Sequence, residues 1–385
     1  MRVLHVITEI KASAGGVSSA VSGLAIAQKR AGLDVAVLAP WYGEPDRESM
    51  EKLESAGVCI HTFGPAIGRF GRHPDLIKLT EKAVAGADVV HIAGMWEEIQ
   101  HRAAREAVRQ NVPYVISPHG MLDPWSLRRS KWVKRAALAW RVRKNLNRAA
   151  ALHFTCAVER DLVAGLKLRP SSVVEPNGLD LSEFEDLPPA DQFRKHHRTL
   201  QNQRPIVLFL SRIDPKKGLD LLIPAFAAGP KEAMLVIAGP DLIGYQREVE
   251  AMVRQHAIQD RVIFTGMLRG RDRVEAMAAA TIFALPSYQE NFGIVVAESL
   301  AAGVPVIISD QVNIHAEITA AGVGGVVPAQ IEPLARELRR WLGDEPLRSQ
   351  AALMCRPFVR EHYDWNKIAE RWKKHYAQIT SMQSS

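Results

Sequence analysis

The chain has 385 residues, 47% of them apolar and 24% charged, with a formal net charge of +7 and three cysteines. That length has room for two domains, each able to bury its own core, and the composition excludes low-complexity and collagen-like chains. Cys59, Cys156 and Cys355 are too scattered for a disulfide framework or a metal-ligand spacing, and no apolar run is long enough to suggest a spanning helix.

The charge is uneven. Residues 1–176 hold 25 Lys and Arg against 17 Asp and Glu, a net +8, which leaves −1 for the rest. Much of the excess lies in "SLRRSKWVKRAALAWRVRKNLNRAA", residues 126–150, which contains no acid. An anionic partner for the first half is therefore expected: phosphate, nucleic acid or a lipid surface.

The opening "MRVLHVITEIKASAGG" has a short, alternating apolar run interrupted by Glu9, so it is expected to be a strand and not a leader. Reducing cytoplasm is the simplest expected compartment. After a glycine-rich loop, "VSSAVSGLAIAQKRAG" suits a packed helix closed by Gly32, and "DVAVLAP" returns to a strand pattern. The runs "DVVHIAG", "PYVISPHG" and "AALHFTC" are short, β-rich and bounded by turn residues. The segment "SSVVEPNGLDLSEFEDLPP" is punctuated by Pro, Gly and Asp and is expected to be a linker. From residue 204 the alternation restarts: "PIVLFLSRI", "AMLVIAG", "VIFTG", "IFALPS" and "VPVIISD" as strands, with "GLDLLIPAFAAG" as a helix. "YDWNKIAERWKKHYAQI" predicts a final amphipathic helix. Strands alternating with helices from end to end mean two doubly wound parallel sheets, whose ligands bind beyond the carboxyl ends of the strands.

Four stretches carry chemistry at such ends. In "ASAGGVSSAV", Gly15 and Gly16 would let helix N–H groups approach an anion, although bare glycine turns are also common. In "SRIDPKKGLDLL", Arg212 and Lys217 offer a planar fork and an ammonium to a diphosphate; the alternative is a solvated basic loop, with Lys216 the better solvent candidate. In "SYQENFGIVVAESLAAGVPVI", Glu290 falls at a loop and Glu298 inside an apolar helix that starts near Gly293 or Ile294. A carboxylate there needs donors, either sugar hydroxyls such as a ribose diol or a neighbouring Arg or Lys. In "VISPHGMLDPW", His119 follows a strand, where a lone histidine is either structural or solvated, or faces the site beyond the strand's carboxyl end.

Together these pieces resemble the retaining GT-B glycosyltransferases of family 4, the glycosyl transferases group 1. The Glu290/Glu298 pair around Asn-Phe-Gly and the "SRIDPKKG" loop carry the resemblance, supported by "AGGVSS", "PHGMLDPW", "EPNGLD" and "VIFTGML" along nearly the whole chain. The resemblance implies an N-terminal acceptor-side Rossmann-like domain over 1–176 and a nucleotide-sugar-binding one over 177–363, facing across a cleft. Residues 364–385 would be a helix crossing back to the first domain.

It also implies site roles. Arg212 and Lys217 would neutralise the nucleotide diphosphate, with Gly15 and Gly16 adding backbone N–H groups. Glu298 would hold the ribose, and Glu290 the donor sugar, with Asn291, Phe292 and Gly293 alongside. His119 would lie near the reacting sugar. Met267 and Leu268 would hold the base by main-chain contacts. Ser211 stands where the family usually has Gly before the arginine. The implied reaction moves a sugar from a UDP- or GDP-sugar to a glycan or lipid-linked acceptor, as in bacterial polysaccharide synthesis. No cofactor is implied, and without an Asp-x-Asp after a strand no metal is indicated. Residues 125–148 interleave Arg and Lys with Trp125, Trp132 and Trp140, a candidate contact for an anionic membrane surface at the inner face; the alternative is a solvated face with tryptophans packed inward. No nucleic-acid recognition module accompanies the charge. The rivals are a sugar-nucleotide hydrolase or phosphorylase on the same fold, and a non-catalytic nucleotide-sugar-binding protein.

Overall fold

In the computed structural model the chain divides into two α/β units, Met1–Gly178 with Asp364–Ser385, and Leu179–Tyr363. The structure describes residues 1–11, 16–68, 70–128, 137–200, 203–229 and 231–382.

The first unit is built on a seven-stranded sheet of β1 (Arg2–Val6), β2 (Asp34–Pro40), β3 (Cys59–Phe63), β4 (Val89–Ala93), β5 (Tyr114–Ser117), β6 (Ala151–Phe154) and β7 (Ser171–Val174). All its pairings are parallel, in the order β3-β2-β1-β4-β5-β6-β7. Alternation along β1 sends Leu4 and Val6 to one face, where they join Ile99, Ala103 and Leu146. It sends Val3 and Ile7 to the other, where they join helix Gly16–Arg30 and the final helix, Trp365–Ser381.

That final helix buries Trp365, Ile368, Ala369, Trp372, Tyr376 and Ile379, one stripe at helical spacing. Its first residue explains two glycines. A Cβ on Gly23 would lie 2.4 Å from the Trp365 indole nitrogen, and one on Gly178 would lie 2.4 Å from Trp365 Cδ2. The indole is clasped between two backbones that have no side chain to give.

The second unit has six parallel strands, β8 (Ile206–Leu210), β9 (Met234–Ala238), β10 (Val262–Gly266), β11 (Ile282–Leu285), β12 (Val306–Ser309) and β13 (Gly324–Val327), in the order β10-β9-β8-β11-β12-β13. Every residue of β8, β9, β11 and β12 is buried, because helices cover both faces of a parallel sheet. In both units the order reverses beside the first strand, between β1 and β4 and between β8 and β11. Those are the topological switch points at which open α/β sheets place ligands.

The structure departs from the sequence expectations at the edges. The segment expected as a linker begins with a strand, since Ser171–Val174 pairs with β6. β3 and β13 were also not foreseen. β13 opens with Gly324, where a Cβ would lie 2.2 Å from the Val306 carbonyl oxygen, so glycine here serves a close strand contact. The basic segment is not one regular helix: it begins with helix Pro124–Arg128 and ends with a π-helical turn, Leu138–Val142, and helix Arg143–Arg148. Arg129, Lys131, Trp132, Lys134 and Arg135 lie outside the described residues.

Candidate functional site

At the switch point of the second unit, the loops after β8 and β11 are locked together. Gly218 has φ +74°, and a Cβ there would lie 2.1 Å from the Pro286 carbonyl oxygen, so only glycine permits the approach. Tyr288 N–H donates to the Lys216 carbonyl at 2.9 Å, and the Tyr288 hydroxyl donates to Asp220 at 2.7 Å. Between these fixed points the short 3-10 turn Pro215–Lys217 turns Lys217 inward, leaving it 7% exposed, while Lys216 stays half-buried. Which lysine turned in was open in the sequence. Arg212 is exposed and has no hydrogen-bond or ion-pair partner among the described residues.

Lys217 is not unpartnered: its ammonium donates to Glu290 Oε2. Glu290 is held from both sides through its backbone. Its N–H donates to Gln311 at 3.0 Å, and its carbonyl accepts from Asn313 N–H at 3.0 Å. Asn313 also donates to the Asn291 side chain at 3.4 Å. Phe292 is buried edge-on against Tyr363, anchoring the loop. Gly293, at φ +74°, caps helix Ile294–Ala301, whose first N–H groups open toward the loop.

Glu298 lies within that helix and is 6% exposed. Of the two alternatives left by the sequence, a basic neighbour is present: Arg273 donates to Glu298 Oε1 and also pairs with Glu183. The other oxygen, Oε2, is buried without a partner among the described residues. Burial pushes the Glu298 carboxyl up from its ordinary range, and the Arg273 charge partly offsets this. After β10, Met267 is exposed, Leu268 half-buried and Gly266 at φ +71°.

In the first unit, Gly16 is exposed at the start of helix Gly16–Arg30; Gly15 lies outside the described residues. His119 follows β5 with φ +50°, an uncommon backbone for a side chain of this size. Its loop is pinned by buried Glu159, which accepts from Gly120 N–H at 2.5 Å and from Thr155 N–H at 2.7 Å. Burial lowers the His119 ring pKa to about 4, so the ring is neutral near pH 7.

Sequence reasoning missed a buried polar chain below His119. His153 Nε2 meets the Glu175 carbonyl at 2.8 Å, and that carbonyl can only accept. A neutral His153 must then accept at Nδ1 from Ser117 (2.6 Å), and Ser117 from His91 Nε2 (2.6 Å). In turn His91 Nδ1 accepts from Tyr376 (2.6 Å), Tyr376 from Gln28 (3.2 Å), and Gln28 from His5 (2.7 Å). One end fixes every proton along the chain. Each histidine is solitary in its strand, and only the sheet order brings them together.

Glu97, also unforeseen, follows β4 beside the other switch point. It accepts from the Tyr42 hydroxyl at 2.9 Å, and burial raises its pKa. Among the described residues, no group of three or more His, Cys, Asp or Glu is placed to hold a metal ion, and no helix is long and apolar enough to cross a membrane.

Residues 15–178 match the family described as glycosyl transferase 4-like domain, and residues 191–352 match glycosyl transferases group 1. Phosphatidyl-myo-inositol mannosyltransferase of Mycolicibacterium smegmatis is 28% identical over 390 residues, covering 95% of this chain and 91% of that protein. D-inositol 3-phosphate glycosyltransferase of Xylanimonas cellulosilytica is 31% identical over 54% of this chain, a match that spans 51% of that relative's length. Among solved structures, Anabaena HepE in complex with UDP and glucose superimposes with a TM-score of 0.80 at 20% identity, covering 98% of this chain and 100% of that one. At that identity the likeness speaks for the fold alone.

Proposed function

Given that the chain belongs to the family 4 glycosyltransferases with the GT-B fold, we propose that it moves a hexose, with retention and without a metal, from a UDP- or GDP-sugar to a lipid-linked or glycan acceptor. The observation that carries this reading is the second unit's switch point, where a buried ammonium pairs with a carboxylate ahead of a helix N-terminus, and Arg212, without a partner among the described residues, follows the same strand as Lys217.

Arg212 and Lys217 bind the diphosphate. Breaking the glycosyl–phosphate bond adds charge to it, so two fixed cations stabilise the transition state more than the ground state and do the electrostatic work of a metal. Glu298 Oε2, a buried acceptor without a partner among the described residues, takes a ribose hydroxyl. Met267 and Leu268 offer main-chain groups to the base. Glu290 takes a hydroxyl of the donor sugar, with Asn291, Phe292 and Gly293 shaping the loop. In the first unit, His119 serves as a neutral hydrogen-bond partner for a sugar hydroxyl, and Gly15 and Gly16 as backbone donors to an anionic group. The acceptor oxygen bonds to the anomeric carbon on the face the diphosphate leaves, and its proton passes to the departing phosphate oxygen. No enzyme nucleophile takes part.

The Mycolicibacterium relative, named for a phosphatidyl-inositol acceptor, supports a lipid-linked acceptor here, reached from the cytoplasmic face of a membrane. Of the basic segment, Trp140 is 85% exposed and Arg128 and Lys144 are exposed, whereas Arg141 pairs with Glu98 and Arg143 bonds the Leu166 carbonyl. An outward indole among cations suits an anionic lipid surface.

A thermal-shift screen of UDP- and GDP-sugars, followed by turnover with the best binder, tests the reading. Stabilisation by one donor and transfer of its sugar to a lipid acceptor are expected. Release of free sugar alone would put a hydrolase in its place, and binding without turnover a non-catalytic binder.

A further inference from the structure

We propose that Glu290 competes with the donor's diphosphate for Lys217, so that the site distinguishes an intact sugar nucleotide from the spent nucleoside diphosphate. The inference rests on the diphosphate role of Arg212 and Lys217 and goes beyond it, because it concerns how product leaves.

The geometry makes the competition specific. Lys217 is buried, and its backbone is fixed by an N–H bond to the Asp214 carbonyl at 2.9 Å in the turn that precedes Gly218. Its ion-pair partner is Glu290. Glu290 is no loose loop carboxylate either, since Gln311 and Asn313 fix its backbone on both sides. A buried ammonium keeps a counter-charge, so an arriving diphosphate must take the place of the carboxylate. Two anions on one ammonium repel, and the displaced Glu290 then needs a donor.

An intact sugar nucleotide brings that donor with it, as the hydroxyls of the glycosyl group. A bare nucleoside diphosphate does not. Once the sugar has moved to the acceptor, Glu290 loses its partner and reclaims Lys217, leaving the diphosphate with Arg212. Affinity for the spent nucleotide is thus reduced by the fraction of time Lys217 spends with Glu290. Glu298 does not enter this competition, because the cation it pairs with is Arg273, which also holds Glu183, and not Lys217.

The test is calorimetric titration of UDP, GDP and inorganic pyrophosphate into wild type, Glu290→Gln, Lys217→Ala and the double variant, with melting curves to establish folding. Glu290→Gln keeps the shape and removes the charge. It is expected to bind pyrophosphate and the preferred nucleoside diphosphate about tenfold more tightly than wild type, with a smaller gain or a loss for the sugar nucleotide. For pyrophosphate and the nucleoside diphosphates, the gain from Glu290→Gln should be much smaller on the Lys217→Ala background than on wild type, since the competition needs that lysine. Glu290→Asp, whose shorter arm weakens the pair without stranding the ammonium, should shift binding the same way by a smaller factor, and it serves if the glutamine variant does not fold. Weaker binding on Lys217→Ala without tighter binding on Glu290→Gln or Glu290→Asp would overturn the competition and leave the diphosphate role standing. Absence of UDP and GDP binding in wild type would remove both.

Discussion

At the scale of single residues, the candidate site depends on contacts with no slack. Gly218→Ala would push a methyl into the Pro286 carbonyl, backbone against backbone, at a positive φ. A loss of about 2–4 kcal/mol in urea unfolding is expected, together with weaker nucleotide binding. Glu298→Gln should weaken UDP or GDP binding by about tenfold, close to 1.4 kcal/mol, yet leave pyrophosphate binding unchanged. Titration of both ligands separates a ribose contact from a general disturbance of the site. Glu298 was legible in the sequence because a carboxylate inside an apolar helix stands out, and Glu290 because it falls in the polar loop between an apolar strand and that helix. Arg273 was not, because it lies 25 positions before Glu298 and reaches it only through tertiary structure. Likewise, two adjacent lysines look alike until the 3-10 turn that buries one of them is known.

At the scale of elements, the final helix is fastened by Trp365 and by the histidine chain. Gly23→Ala should displace the indole and cost about 2–3 kcal/mol in thermal unfolding, more than Gly→Ala usually costs, since alanine otherwise favours helix. Burial lowers the His5 pKa to about 4 and that of His153 to about 3. The unfolded chain therefore takes up protons first as pH falls. The stability tied to these rings is complete above about pH 6.5 and drains away as pH drops toward 4, up to about 3 kcal/mol for His5 alone. Melting temperatures from pH 7 to 4.5 should fall less steeply for His5→Gln than for wild type, even where the variant starts lower. Glu175 adds to the acid sensitivity: burial opposes its charge, but bonds from His375 and Arg371 hold its carboxyl below the usual range. Central strands such as β8 were legible as apolar runs closed by turn residues. The edge strands β3 and β7 were not, because an edge needs fewer apolar residues: β7 buries none of its four fully. The histidine chain escaped notice because each ring looks like an ordinary core histidine until the strand order sets His5 beside His91.

At the scale of the whole molecule, the uneven charge carries its own prediction. Flotation with vesicles of anionic phospholipid should recover the protein, salt should weaken the association, and Trp140→Ala should reduce it several-fold. Equal recovery with neutral vesicles would return the basic segment to the role of a solvated face. The two-unit, doubly wound architecture could be inferred from the strand–helix alternation alone, since each sheet needs only its period and its turns. The path of the chain through the units has a further consequence. The second unit is one unbroken stretch, Leu179–Tyr363, that interrupts the sequence of the first, whose final helix is made after all of it. During synthesis, both sheets have all their strands before the last helix emerges, and until then the first unit exposes His5, His91 and the face that awaits Trp372. The order in which the two units are completed is thus the reverse of the order in which their strands are made. A chaperone that shields apolar surface would find its client in the half that was translated first.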